Sequence, residues 1–402
     1  MISAGPPADP GAIPTAARAL APDLARGGML LLIALANVHL FLFGSPVGVR
    51  GYPRDLAGAD RVVAAGQLTL VDGRAYPLFG LLFGYGVGQL AGRRAAAGAD
   101  ARAVARLVRR RGAWMVLVGA AHGALLWSGD IVGAYGLLAV LLAGVLVAGT
   151  AVTLITVAAI GLGVAALFGL GSALPLPGTP QSFLASTAVA DPLPALGVRL
   201  GEWVGGGLLA QAAGVFAAVA LGAWAARRGL LDEPERHRLL LTRVAVGGLV
   251  GAVLGGTPLA LIAAGVWTGP PTGALLLAGA VHAVSGYAGG LGYAALFGLL
   301  AIRLTARETR GPVAGALQAC GRRSLTCYLA QSVVFVALLP AWTLGLGRAL
   351  SLWQVALIGL GAWLLSLPAA AAMDRAGHRG PAEVLLRRLT YGRPAVPTHH
   401  RP

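Results

Sequence analysis

The chain has 402 residues, 57% of them hydrophobic and only 11% charged, with a mean hydropathy of +0.76. A soluble chain carries about 25% charged residues, so a wetted globular domain, a disordered chain and a disulfide scaffold are all excluded. The net charge of +16 is spread in short Arg clusters between apolar runs, which reports topology rather than nucleic-acid binding. What remains is an all-α polytopic membrane protein, with room for about ten spans of roughly 20 residues each.

In chain order, residues 1–22 are Pro- and Ala-rich and predict a disordered tail, without the basic n-region of a signal peptide. A transmembrane helical region follows over 23–373, its first span near 28–45. The polar stretch 46–74 holds Arg50, Arg54, Asp55, Asp60, Arg61, Asp72 and Arg74 and reads as an external loop. The second span, 75–92, has Gly80, Gly84, Gly88 and Gly92 at every fourth position, a ridge that lets a neighbouring helix come close. An Arg block at 93–111 precedes the third span, 113–128, which ends in a tight turn at 128–130. The apolar run 131–171 is too long for one helix, so it divides near Gly149–Thr150.

A Pro-rich loop, 172–202, separates this half from spans at about 203–225, 244–267, 274–301, 325–345 and 352–372. Gly286, Gly289, Gly290 and Gly292 would suit a broken helix in the eighth. The tail, 374–402, is basic, and Leu385, Leu386 and Leu389 beside Arg387 and Arg388 predict an interfacial helix on the inner leaflet. With both termini in the cytoplasm, all but six of the 31 Arg lie inside; the six are Arg50, Arg54, Arg61, Arg74, Arg199 and Arg348. Cys320 and Cys327, taken as one helix, are too far apart for a disulfide. All basic residues are Arg, and Asn37 is the only Asn, a bias expected of a GC-rich genome.

Ionisable groups stranded in spans are the first functional candidates. Four are His39, His122, Asp130 and His282, all in the middle or outer half of their spans; Asn37 joins them. Asn37 and His39 are about 200° apart on a helix, so they should not share a cavity squarely. His122 and Asp130 are roughly 12 Å apart along one straight helix, so a neighbouring span or a water is needed to link them. A neutral imidazole at His122 can act as general base or transient acyl carrier; the plainer alternative is a hydrogen bond between helices. Asp130 either orients a His or caps the next helix. The dipeptide His399–His400 carries nothing, and there is no zinc spacing, P-loop or dinucleotide fingerprint.

Three segments resemble a known family: Asp23–Gly27 leading to Asn37, HGALLWSGDIVGAYGLL from His122, and the pair GRRSLTCYLAQS from Gly321 and GPAEVLLRRLTYG from Gly380. They are similar to the YeiB-like bacterial membrane proteins, a domain of unknown function (DUF418). That family is similar in turn to the transmembrane acyltransferases that include heparan-α-glucosaminide N-acetyltransferase. The chain departs from the family at Pro22, where the entry motif has Leu, at Ala25, where it has Leu, and at Cys327, where it has Asn. The resemblance implies an acyltransferase of a bacterial inner membrane, passing an acyl group from cytosolic acyl-CoA to an outer acceptor. His122, Asp130, His39 and Asn37 would be catalytic, with His282, Tyr328 and Gln331 binding substrate. Arg109, Arg110 and Arg111 would hold the CoA phosphates. No tightly bound cofactor, metal or nucleic acid is expected; the partners are the bilayer, a small acceptor and a second copy of the chain. The alternative is a transporter or flippase of a small hydrophobic metabolite or lipid-like substrate, since ten spans divide into two units of five.

Overall fold

The computed structural model describes residues 19–178, 180–307 and 311–392. The expected tail over 1–18 and the dipeptide His399–His400 lie outside them. The described chain is helical: α1 (Leu20–Val38), α2 (Ala59–Leu70), α3 (Ala75–Ala96), α4 (Ala101–Leu125), α5 (Val132–Ala148), α6 (Ala151–Gly171) and α7 (Pro192–Glu202) form the first part. The second part is α8 (Leu208–Arg227), α9 (Arg238–Ala263), α10 (Thr272–Thr305), α11 (Pro312–Arg322), α12 (Ser324–Leu338), α13 (Leu352–Arg375) and α14 (Pro381–Tyr391). Six segments are long and apolar enough to cross a bilayer: 20–41, 151–171, 192–227, 238–263, 272–305 and 352–375. Two shorter apolar helices, 132–148 and 324–338, join them. Large apolar side chains such as Leu117, Leu141, Ile160, Leu209, Leu254 and Leu365 point outward. With so few charges beside them, these faces meet lipid, and the chain is a multi-pass membrane protein.

Local chemistry sets several boundaries. The apolar run divides at Gly149–Thr150 because the Thr150 hydroxyl accepts the Thr153 N–H (3.1 Å) and starts α6. Ser351 and Gln354 form a capping box at the start of α13. Pro258 and Pro368 lie inside α9 and α13, as membrane helices tolerate where neighbours satisfy the freed backbone. The glycine ridge of α3 packs against α8. A Cβ at Gly84 would overlap the Val219 carbonyl, and one at Gly88 would meet Ala226 and Ala223. Gly92, past the contact, faces open space.

Five expectations need correction. Leu20–Pro22, placed in the tail, already form the first buried turn of α1. The Pro-rich loop before the sixth span contains α7, which runs through a π-turn at Trp203–Gly207 into α8. The eighth span is not broken: α10 is continuous, and its glycines instead admit neighbouring backbone, Gly286 against Gly73 and Gly292 against Gly248. The broken element is the second span. The stretch read as an external loop contains α2, whose Ala64 and Leu68 are buried beside Leu259, Ala260 and Ala263 of α9. After a break at 71–74, α3 continues toward the Arg-rich end, where the Tyr85 hydroxyl and Gln89 amide bond Asp232. Gly73 turns this corner with φ +80°, a conformation that costs glycine nothing. The break packs against Ala252 and Gly256, near the middle of α9. Finally, Cys320 and Cys327 are on separate helices with a bend at Arg323 between them, both as free buried thiols.

Candidate active site

His122 sits in the last turn of α4, and its carbonyl accepts the N–H groups of both Leu126 and Trp127 (2.9 Å each), which stops the helix. The chain then doubles back through Ser128–Gly129, so Asp130 returns to its own helix. Asp130 Oδ1 lies 2.9 Å from His122 Nδ1. The carboxylate also accepts the Val132 N–H (3.1 Å) and Gly133 N–H (2.6 Å), capping α5. Gly119 makes this return possible, since a Cβ there would strike Asp130 Oδ2 and the Gly133 backbone. The expectation that His122 and Asp130 need an intermediary is therefore wrong. It assumed one straight helix, and the turn removes the axial separation. Asp130 is both an orienting group and a cap.

The other imidazole nitrogen completes a relay. His122 Nε2 is 2.9 Å from Ser332 Oγ on α12. A carboxylate only accepts, so it places the proton on Nδ1 and leaves Nε2 free to accept from the serine hydroxyl. His122, Asp130 and Ser332 are each at most 4% exposed. The Tyr328 ring lies 5.2 Å from the imidazole, one turn before Ser332. Gln331 faces α1 instead, donating to the Leu30 carbonyl at 3.3 Å.

His39 and Asn37 belong to a second region. After Val38 the chain continues as a 3-10 turn, His39–Phe41, and Asn37 and His39 both line one cavity of about 420 Å³. The angular argument against their sharing a cavity therefore fails. Arg50, Asp72, Tyr76 and Gln211 add further polar groups to its walls. His39 stacks on Tyr52 (4.1 Å) and bonds the Arg50 carbonyl through Nε2 (3.3 Å). Arg50 holds Asp72 with two hydrogen bonds, 2.6 and 2.8 Å. It does so from φ 52°, ψ 29°, the one left-handed non-glycine backbone among the described residues, and strain of this kind gathers at functional sites. Trp127, Gly129 and Ile131 line the same cavity, so the segment that carries Asp130 is also part of its wall.

His282 is not in that cavity. It is fully buried behind Gly73, where Arg74 Nη1 lies 3.0 Å from its Nδ1 and 3.2 Å from its Nε2. Arg74 also donates to the Asp72 carbonyl (2.6 Å) and the Ala252 carbonyl (2.5 Å). Arg74 is thus a wholly buried cation, not one of the external topology residues. Arg199, also assigned to an external loop, is buried as well, bonding the Ala124 carbonyl at 2.8 Å and covering the Trp342 ring.

At the Arg-rich end, Asp23 pairs with Arg26 (3.4 Å) as its spacing suggests, and also with Arg322 (3.5 Å). Arg109, Arg110 and Arg111 are exposed, and Arg110 reaches the Leu389 carbonyl of α14 (3.4 Å). Along α4 they are ~17–20 Å from His122. The expected tail helix is α14. It packs on α4 and α12 through Leu386 and inserts Glu383 at the start of α12, accepting from Leu325 N–H (2.8 Å) and Thr326 Oγ (2.5 Å). Among the described residues no group of three His, Cys, Asp or Glu could hold a metal ion.

Sequence reasoning missed Ser332, Arg50, Asp72, Arg74 and Glu383 as site or support residues. Ser332 is the last residue of the motif beginning at Gly321, the one signal that pointed to it. Residues 225–393 match the model of a family described as a protein of unknown function, DUF418. No curated protein matches the chain. The matched segment contains His282, Tyr328, Gln331 and Ser332, while His122 and Asp130 lie before it.

Proposed function

The chain carries a DUF418-family domain over residues 225–393, and on that premise we propose that it is a membrane-embedded acyltransferase. It crosses the inner membrane ten times with both termini in the cytoplasm, a layout favoured by the Arg distribution. The observation that carries the reading is the buried hydrogen-bonded chain Asp130–His122–Ser332. Such a chain activates a hydroxyl as nucleophile, and low dielectric strengthens each bond in it.

Acyl-CoA is the donor, its phosphates held by Arg109, Arg110 and Arg111, with the pantetheine arm covering the distance to His122. Ser332 Oγ attacks the thioester carbonyl carbon; the Oγ–C bond forms as the C–S bond breaks. His122 Nε2 takes the hydroxyl proton and delivers it to the departing thiolate. An acceptor hydroxyl or amine entering from the outer cavity then attacks the serine ester. His122 removes its proton and returns it to Ser332 Oγ as the ester bond breaks. Asp130 holds the imidazole in one tautomer throughout. Asn37 and His39 orient the acceptor, Tyr328 shapes the site beside the imidazole, and Gln331 and His282 act through helix packing.

Transport is the second reading, and one observation favours it. A span broken at mid-depth with charged residues at the break, as between α2 and α3, is how transporters build midplane sites. The two are separated with purified protein and radiolabelled acetyl-CoA. Acyl transfer predicts CoA release that His122→Ala and Ser332→Ala abolish. No release with any acceptor, alongside substrate flux in liposomes, would sink the enzyme reading.

A further inference from the structure

The cavity walled by α1, the 42–52 loop and the α2–α3 break has an unusual charge balance. Asp72 is paired with Arg50, and the next cation, Arg74, has no carboxylate within ion-pair distance among the described residues. Its guanidinium is held by carbonyls and the His282 ring instead. Arg50 and Asp72 line the cavity, while Arg74 lies behind its wall; two guanidiniums thus stand against one carboxylate in a low-dielectric interior, where an uncompensated charge is felt over many ångströms. The cavity also receives the first residues of α3, Ala75 and Tyr76, and a helix of this length presents partial positive charge at that end. His39, 1% exposed and part of the wall, keeps Nδ1 without a hydrogen bond of normal geometry.

Much of the rest of the lining is apolar, with Ile33, Leu40, Trp127, Ile131, Leu174 and Phe183 among it. A volume of about 420 Å³ falls in the range of small-molecule sites. The site thus combines an excess positive charge behind its wall, one imidazole nitrogen without a partner and largely apolar sides.

We propose that this cavity binds the anionic head of a single-chain amphiphile, a carboxylate or phosphate ester, with its hydrocarbon against the Trp127–Ile131 and Leu174–Phe183 walls. The head supplies the negative charge that the Arg50–Asp72–Arg74 cluster lacks; because His39 Nε2 donates to the Arg50 carbonyl, its Nδ1 accepts, and a singly protonated phosphate ester gives it that hydrogen bond. The chain of the ligand replaces lipid contacts it would have in the bilayer, so charge and shape together select it. This binding site stands whether or not Ser332 turns over acyl groups.

The test is isothermal titration calorimetry on the full chain in an uncharged detergent, with decyl phosphate as probe. Saturable binding is expected, at least about tenfold tighter than for inorganic phosphate or decyltrimethylammonium. Arg50→Gln should weaken it by about tenfold or more. Because that change strands Asp72, the paired variant Arg50→Gln/Asp72→Asn removes one charge of each sign and leaves Arg74; it should bind as the wild type does, and loss of binding in it would overturn the proposal. Ala36→Trp fills the cavity without touching any charge and should abolish binding in a protein that still elutes as folded. Equal binding of decyltrimethylammonium, or full affinity in Ala36→Trp, would overturn the proposal. Tight binding of inorganic phosphate alone would also overturn it, since the apolar walls would then contribute nothing. A protein that binds decyl phosphate yet releases no CoA retains this site and loses the enzyme reading.

Discussion

Asp130 carries two tasks at once, and substitutions can divide them. Asp130→Asn keeps one acceptor oxygen, enough for one of the Val132 and Gly133 N–H groups and so for part of the cap, but it no longer fixes the His122 tautomer. Acyl-transfer rate should fall by about 10²–10⁴-fold while the protein remains folded. Asp130→Ala removes the cap as well, so it should lose the same activity and a further ~1–3 kcal/mol of stability, measured by thermal unfolding in detergent. A result in which Asn and Ala behave alike in stability would mean that the cap is not held by this side chain. Arg74 makes the same point for a residue outside the relay. Its side chain is 0% exposed, so Arg74→Ala should cost about 2–5 kcal/mol through the cavity it leaves and the carbonyls it abandons.

At the scale of elements, the site depends on places where helices end or come close. Gly119→Ala inserts a methyl group against Asp130 and the start of α5, and is expected to destabilise by about 1–3 kcal/mol and to displace the carboxylate from His122. Gly163→Ala on α6, where a Cβ meets nothing within 4 Å, is the matched control and should be neutral. Glu383→Ala should fray the start of α12, a loss of about 0.5–2 kcal/mol, and Glu383→Gln should recover part of it by accepting the same N–H groups.

These elements also explain what the sequence made legible. The division at Gly149–Thr150 depends on a local cap, and local caps are written in adjacent residues. The pairing of His122 with Asp130 depends on where α4 stops, and spacing along an assumed straight helix gave the wrong distance. Asn37 and His39 share a cavity with Arg50, Asp72 and the Trp127–Ile131 segment, partners from distant parts of the chain that no helical periodicity reports. Arg74 was hidden because a polar stretch between spans looks the same whether it stays outside or folds into the bundle. Ser332 was hidden because a serine barely stands out on an apolar helix, although Tyr328 and Gln331 beside it were singled out.

For the whole molecule, the Arg distribution and the packing make a joint prediction about sidedness. In a background lacking Cys320 and Cys327, Pro177→Cys should react with a membrane-impermeant maleimide on intact cells, and Glu235→Cys only after permeabilisation. Both positions lie in connections between helices. The reverse pattern would invert the molecule and put the cavity on the donor side. With the predicted sidedness, the proposed reading puts the cavity toward the exterior and the Arg-rich surface toward the cytoplasm, with the Asp130–His122–Ser332 chain between them.

The central claim is that Ser332, activated by His122 and Asp130, accepts the acyl group. It is tested most directly by incubating the purified chain with radiolabelled acetyl-CoA in the absence of acceptor, quenching in acid and counting protein-bound label. Label should accumulate on the wild type within the segment 324–338, and should be absent from Ser332→Ala and strongly reduced in His122→Ala and Asp130→Asn. Undiminished label in Ser332→Ala, or no label on a wild-type protein that releases CoA, would contradict it.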